Sequence, residues 1–91
     1  MPAFEISVAG SNLVLRHSPR RIAFHATLFL EAESPEAAGA DAVARVLSDP
    51  NIDSVRANPP GDPPQVEVDE CVELSPRREG APLPGPIFCF F

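Results

Sequence analysis

The hydrophobic period of this chain changes once, at Ser34, and that change restricts the folds open to it. From Ile22 to Ala32 the even positions Ile22, Phe24, Ala26, Leu28, Leu30 and Ala32 are all apolar. The odd positions Ala23, His25, Thr27, Phe29, Glu31 and Glu33 turn polar toward their end. Successive side chains of a strand point to opposite faces, so this is a strand with one face for a core and one face for water. Phe29 breaks the pattern and has to be covered or left exposed.

After Ser34 the period becomes helical. Ser34 can cap a first turn with its hydroxyl, Pro35 suits a position where no N–H is needed, and Glu36 meets the positive end of the helix dipole. Ala38, Ala42, Val43, Val46 and Leu47 then fall on one side of a helix. Gly39 weakens that helix slightly but permits close contact with a sheet. Asp49-Pro50 predicts its end near Ser48.

The flanks supply the rest of a sheet. Phe4, Ile6 and Val8 alternate with Glu5, Ser7 and Ala9, which predicts a first strand. Gly10-Ser11-Asn12 is a turn or bulge signal before Leu13-Val14-Leu15. The stretch reads as one kinked strand or as two short strands in a hairpin, with the hairpin slightly preferred. Arg16 to Arg21 is a polar, basic loop. Asn51 to Pro64, dense in Pro, Gly, Asn and Asp, is a long connection of the kind that often carries function.

Gln65 to Leu74 predicts the last clear strand. Val66, Val68, Val72 and Leu74 read as one face, and Glu67, Asp69, Cys71 and Glu73 as the other. Glu70 falls on the apolar side, a conflict that a bulge would resolve.

The expectation is therefore an α+β domain, with a small antiparallel or mixed sheet of about four strands covered on one face by a single helix. Residues 1–74 form the domain. Residues 75–91 are a proline-rich tail ending Ile87-Phe88-Cys89-Phe90-Phe91. Four large apolar side chains at an exposed end would make an adhesive patch. The tail is expected to be ordered, docked along the sheet or at a two-fold contact with a second chain.

Ninety-one residues suffice for one small domain. A net charge of −6 argues against a nucleic-acid partner, which selects basic surfaces. No apolar run is long enough for a membrane helix, and the N-terminus lacks the basic start and apolar centre of a secretory signal. A cytoplasmic location is expected, with Cys71 and Cys89 reduced.

No cofactor or metal motif is visible. The two cysteines lie in no Cys-x-x-Cys or Cys/His cluster, and EF-hand spacing is absent. His17 and His25 have no Asp or Glu at helical spacing. A Cys71–His25 pair across the sheet is the one nucleophilic arrangement left open.

Two charged sets stand out. Glu31, Glu33, Glu67, Asp69, Glu70 and Glu73 could form an acidic face for a cationic partner, or simply a solvated one. Arg16, His17, Arg20 and Arg21, joined by Arg77 and Arg78, could capture an anion, although no glycine-rich loop opens a helix to cradle a phosphate. The reading that results is a protein-binding module of unassigned partner. Its candidate contact residues are Glu67, Asp69, Glu70, Glu73, Phe88, Phe90 and Phe91, and a homodimer is one version of it. The alternative is a small-ligand or enzymatic domain with a pocket between helix and sheet.

From Phe4 to Leu74 the order FEISVAG-SNLVL, FHATLFLEAESPEAAGADAV and NPPGDPPQVEVDECVEL resembles small uncharacterised bacterial proteins of ββαβ type. A weaker likeness is to HicB-type antitoxin domains, in which a strand ends in Glu-Ala and a helix follows, here Glu31-Ala32 through Leu47. That likeness implies an antitoxin- or immunity-like role, in which an acidic protein neutralises a basic one. The DNA-binding segment that many such antitoxins add is not seen in this sequence.

Overall fold

A computed structural model describes residues 2–16, 20–53, 57–74 and 82–90. Strand β1 (Ala3–Val14) and strand β2 (Arg21–Glu31) are followed by helix α1 (Pro35–Ser48), a single turn α2 (Pro50–Asp53), strand β3 (Gln65–Glu73) and strand β4 (Ile87–Phe90). They form one four-stranded sheet in the order β3-β1-β2-β4, antiparallel throughout. Helix α1 packs on one face, so the fold is α+β.

The β2 alternation is expressed as read: Phe24, Ala26, Leu28 and Leu30 are buried. Opposite them on β1 lie Phe4, Ile6 and Val8, also buried. Ala38, Ala42 and Val46 of α1 close the other side of this core, and Ile52 of α2 seals its end. Ser34 caps the helix, its Oγ accepting from the Ala37 N–H at 3.1 Å. Gly39 sits where a Cβ would meet Val68 Cγ2 at 3.2 Å, so its lack of a side chain sets how closely α1 approaches β3. Val43 and Leu47, read as part of the packing side, are only half-buried.

Residues 3–14 are one strand, not two in a hairpin. The chain passes Gly10 to Leu13 with a register shift, and Asn12 takes a left-handed φ of 59°, which Asn tolerates better than most residues. The bulge absorbs the irregularity and β1 continues against β2 through Val14.

β2 and β3 both run antiparallel to β1, so they are parallel to each other with β1 between them. The helix makes that crossover. It lies over β3 and β1, touches β2, and does not reach β4. β4 pairs with the outer side of β2, Phe24 opposite Phe90 and Thr27 opposite Ile87. Phe91 and residues 75–81 lie outside the described residues.

Candidate functional site

Among the described residues, the sheet has one face under α1 and one face without a helix. On the open face three rows of side chains cross the strands. Glu67, Ala9, His25 and Cys89 make the first row, and Glu70, Ser7, Thr27 and Ile87 the second. Val72, Glu5 and Phe29 make the third. Phe29 is thus left half-buried beside Glu5.

β3 places most of the predicted acidic residues. A register shift falls where Ser7 pairs with Glu70 and Val8 with Val68, leaving Asp69 as the extra residue of a bulge. Glu67 and Glu70 share the open face. Asp69 reaches His25 across β1, its Oδ2 3.9 Å from His25 Nε2, beyond hydrogen-bond length and an ion pair only when the imidazole is protonated. All four predicted acidic positions, Glu67, Asp69, Glu70 and Glu73, are exposed on this edge strand.

The bulge also reverses part of the inside–outside reading of β3. Val66 and Val68 face the helix, as expected. After Asp69 the parity flips, so Cys71 and Glu73 stand on the helix side, opposite Ile6 and Phe4, while Val72 joins Glu70 on the open face. Cys71 therefore lies on the other side of the sheet from His25, and the Cys71–His25 pair does not exist. Its thiol donates to the Pro35 carbonyl at 3.9 Å and packs on the core. Burial, and then the nearby Glu36 carboxylate, push that thiol above its usual range, which disfavours the thiolate a nucleophile needs.

The predicted aromatic residues sit at the far edge. Phe88 and Phe90 project to the helix side of β4, next to Ala26 and Phe24. Their rings stack with centroids 6.3 Å apart and planes at 13°. Phe24 meets Phe90 at 6.1 Å with a 42° tilt. Three strand spacings of about 4.8 Å separate the acidic edge from this aromatic one, roughly 14 Å. The candidate contact residues thus form two surfaces, not one.

A densely bonded polar cluster among the described residues was not singled out by sequence. At the bulged end of β1, Asn58 accepts from the Val14 N–H at 3.0 Å and donates to the Asn12 carbonyl at 2.7 Å and the Asp62 carbonyl at 2.9 Å. The Ala57 N–H bonds the Val14 carbonyl at 2.6 Å. The last ladder pair between β1 and β3 is Ser11 with Gln65, so Asn58 continues the edge of β1 with a side-chain amide where the partner strand has run out. Asn12 Nδ2 donates to Asp62 Oδ1 at 2.8 Å and Arg21 Nη1 lies 2.6 Å from Asp62 Oδ2, while Arg21 also donates to Asn12 Oδ1. These bonds, Asn12 first and Arg21 second, hold the Asp62 carboxyl below its usual range. The only hint in the sequence was the Asn and Asp flanking Pro59-Pro60-Gly61.

Arg21 is thereby engaged with the loop and not with the acidic edge. His17, Arg77 and Arg78 lie outside the described residues. Among the described residues no group of three or more His, Cys, Asp and Glu is placed to hold a metal ion, and no side-chain polar atom is buried without a partner. A cleft of about 660 Å³ lies between the end of β2, the end of α1 and Leu83–Pro86, with Leu30, Arg45 and Ser48 in its wall. None of His25, Cys71 and Glu70 lines this cleft, nor the smaller ones beside Gly39 and Val68 and beside Gly10 and Val66. No described helix is long and apolar enough to cross a membrane.

No protein-family model, no curated protein and no solved structure matches this chain.

Proposed function

We propose that this chain is a protein-binding module and that its β3 edge, with the open face beside it, docks a basic protein surface. The observation that carries the reading is the placement of Glu67, Asp69, Glu70 and Glu73, all exposed on one edge strand of a chain with net charge −6. Carboxylates along an edge discourage pairing with another strand and leave side-chain electrostatics as the means of recognition. The partner is a cationic protein, and an antitoxin- or immunity-like neutralisation of a basic toxin in the bacterial cytoplasm is the version the residues favour. The order β2, Glu31-Ala32, α1 supports the likeness to HicB-type antitoxin domains. The alternative, an enzyme or ligand carrier with a pocket between helix and sheet, has the cleft between the ends of β2 and α1 in its favour, but none of His25, Cys71 and Glu70 lines that cleft.

The test is capture from a bacterial lysate, comparing the wild type with a Glu67→Arg/Glu70→Arg variant of equal melting temperature. A basic protein should be retained by the wild type, released by salt, and lost with the variant. Equal capture by both, or no basic protein in either, would refute this surface.

A further inference from the structure

The two edges of this sheet are built in opposite ways. β3 is lined with carboxylates and interrupted by a bulge, both of which block strand addition. β4 has neither: Ile87–Phe90 contains no charge and no proline, and no described strand pairs with its outer side. Its side chains are open as well, Ile87 by 60% and Phe90 by 44%. A free, uncharged, apolar edge presents backbone N–H and C=O groups that another extended segment can satisfy.

We propose that the occupant of this edge is the β4 strand of a second copy of this chain, added antiparallel about a two-fold axis normal to the sheet. This does not depend on the basic-partner reading, which concerns the opposite edge.

Three observations select a second copy. The first is charge. Two chains of net charge −6 repel, and pairing through β3 would set Glu67, Asp69, Glu70 and Glu73 against themselves. Pairing through β4 makes an eight-stranded sheet with the acidic edges outermost. Seven strand spacings, about 34 Å, then separate them. That is several times the screening length of about 8 Å at physiological salt.

The second is space. The axis normal to the sheet puts both helices on one face, where they would collide if they overhung the joint. α1 is displaced toward β3 and makes no contact with β4. The gap that this leaves is occupied on each chain by the stacked rings of Phe88 and Phe90. Two such ledges would meet between the helices and cover each other.

The third is register. Paired residues share a face, so helix-side Phe88 has to oppose a helix-side residue of the copy. Centring the axis on Phe88 would place Pro86, which has no N–H, opposite Phe90 in the ladder. Centring it on Cys89 pairs Phe88 with Phe90 of the copy in both directions and leaves Pro86 outside. Cys89 then faces its own copy across the axis on the open face. Directly opposed residues of an antiparallel pair have Cα atoms about 4.5–5.5 Å apart, within the span that a disulfide accepts.

A ladder this short belongs to the weak end of protein interfaces, below roughly 800 Å² per partner, so the dimer is concentration-dependent. Light scattering on the purified chain, reduced and over a dilution series, should read a mass rising toward twice the 9.7 kDa of one chain. Cys89→Lys sets like charges directly opposite each other on the axis and should hold the mass at one chain, with an unchanged melting profile below the dimer's concentration range. In a Cys71→Ser variant, diamide should oxidise two Cys89 thiols to one disulfide, itself reduced to the hydrazine, and give a covalent dimer. A single-chain mass at every concentration would overturn the proposal. So would a dimer that survives Cys89→Lys or fails to cross-link through Cys89. Neither result bears on capture of a basic protein at β3.

Discussion

Gly10 and Phe24 face each other across β1 and β2, and the Phe24 ring occupies the space a side chain on Gly10 would need. A Cβ there would run into Phe24 Cε1, far inside contact distance. The ring is buried, with Phe90 on its other side at 6.1 Å, so it has little room to retreat. Gly10→Ala should destabilise the fold by about 1–3 kcal/mol, the usual cost of overpacking a core. Chemical denaturation measures it, and Phe24→Leu in the same chain should recover part of the loss. An unchanged midpoint for Gly10→Ala would contradict the placement of the ring.

The Ser34 cap gives a second expectation. Its hydroxyl satisfies the Ala37 N–H, one of the donors that the first turn of α1 leaves without a helical partner. Ser34→Ala should cost about 0.5–2 kcal/mol. Amide exchange at Ala37 should quicken; exchange as slow as in the wild type would mean that the bond does not form in solution.

Asn58 stands in for a strand. Asn58→Ala removes an acceptor from the Val14 N–H and a donor from two carbonyls, and should cost about 1–3 kcal/mol. Asn58→Asp keeps the acceptor but turns a carboxylate oxygen toward the carbonyls of Asn12 and Asp62, so it should rescue little. Thermal melts rank the three proteins. An Asn58→Asp chain as stable as the wild type would show that the amide nitrogen contributes nothing.

Asp62 makes the same loop sensitive to acid. Its folded-state carboxyl lies below the ordinary value of 3.8, held there by Asn12 and Arg21. A depressed carboxyl contributes stability above its unfolded value, and that contribution is lost as pH falls through the folded one. The melting temperature of the wild type should therefore drop more than that of Asp62→Ala between neutral pH and pH below 3.8, and the difference should shrink in salt because the site is exposed. Parallel curves for the two proteins would remove Asp62 from the clasp.

The parts of this fold legible in the sequence are those fixed by short-range pattern. β2 and α1 follow from alternation, the Ser34-Pro35 start and the return of helical spacing. β3 was legible up to Asp69; beyond it the bulge shifts parity by one, and every later assignment of Cys71, Val72 and Glu73 inverts. The bulge itself was foreshadowed by Glu70 on the wrong face. β1 resisted because Gly10-Ser11-Asn12 carries the chemistry of a turn, while pairing on both sides keeps the strand whole. The acidic half of the candidate surface could be named from composition. Its separation from Phe88 and Phe90 could not, since strand order depends on partners far apart in the chain. The Asn12–Asn58–Asp62 bonding was hidden for the same reason: it joins positions 46 and 50 residues apart.

The position of β1 has a kinetic consequence. Its pairing with β2 begins at Val14 and Arg21, near neighbours in the chain, whereas its pairing with β3 joins Phe4 to Glu73. Closing the short loop costs little entropy and the long one more, and β3 gains its full contacts only once α1 is in place. The sheet should thus assemble from its middle outward, with the β1–β2 hairpin protected first in pulsed hydrogen exchange during refolding and β3 later. Protection of β3 amides ahead of the hairpin would reverse that order. Until α1 arrives, the newly made hairpin holds Phe4, Ile6, Leu28 and Leu30 against water, and that interval is when the chain is most exposed to aggregation.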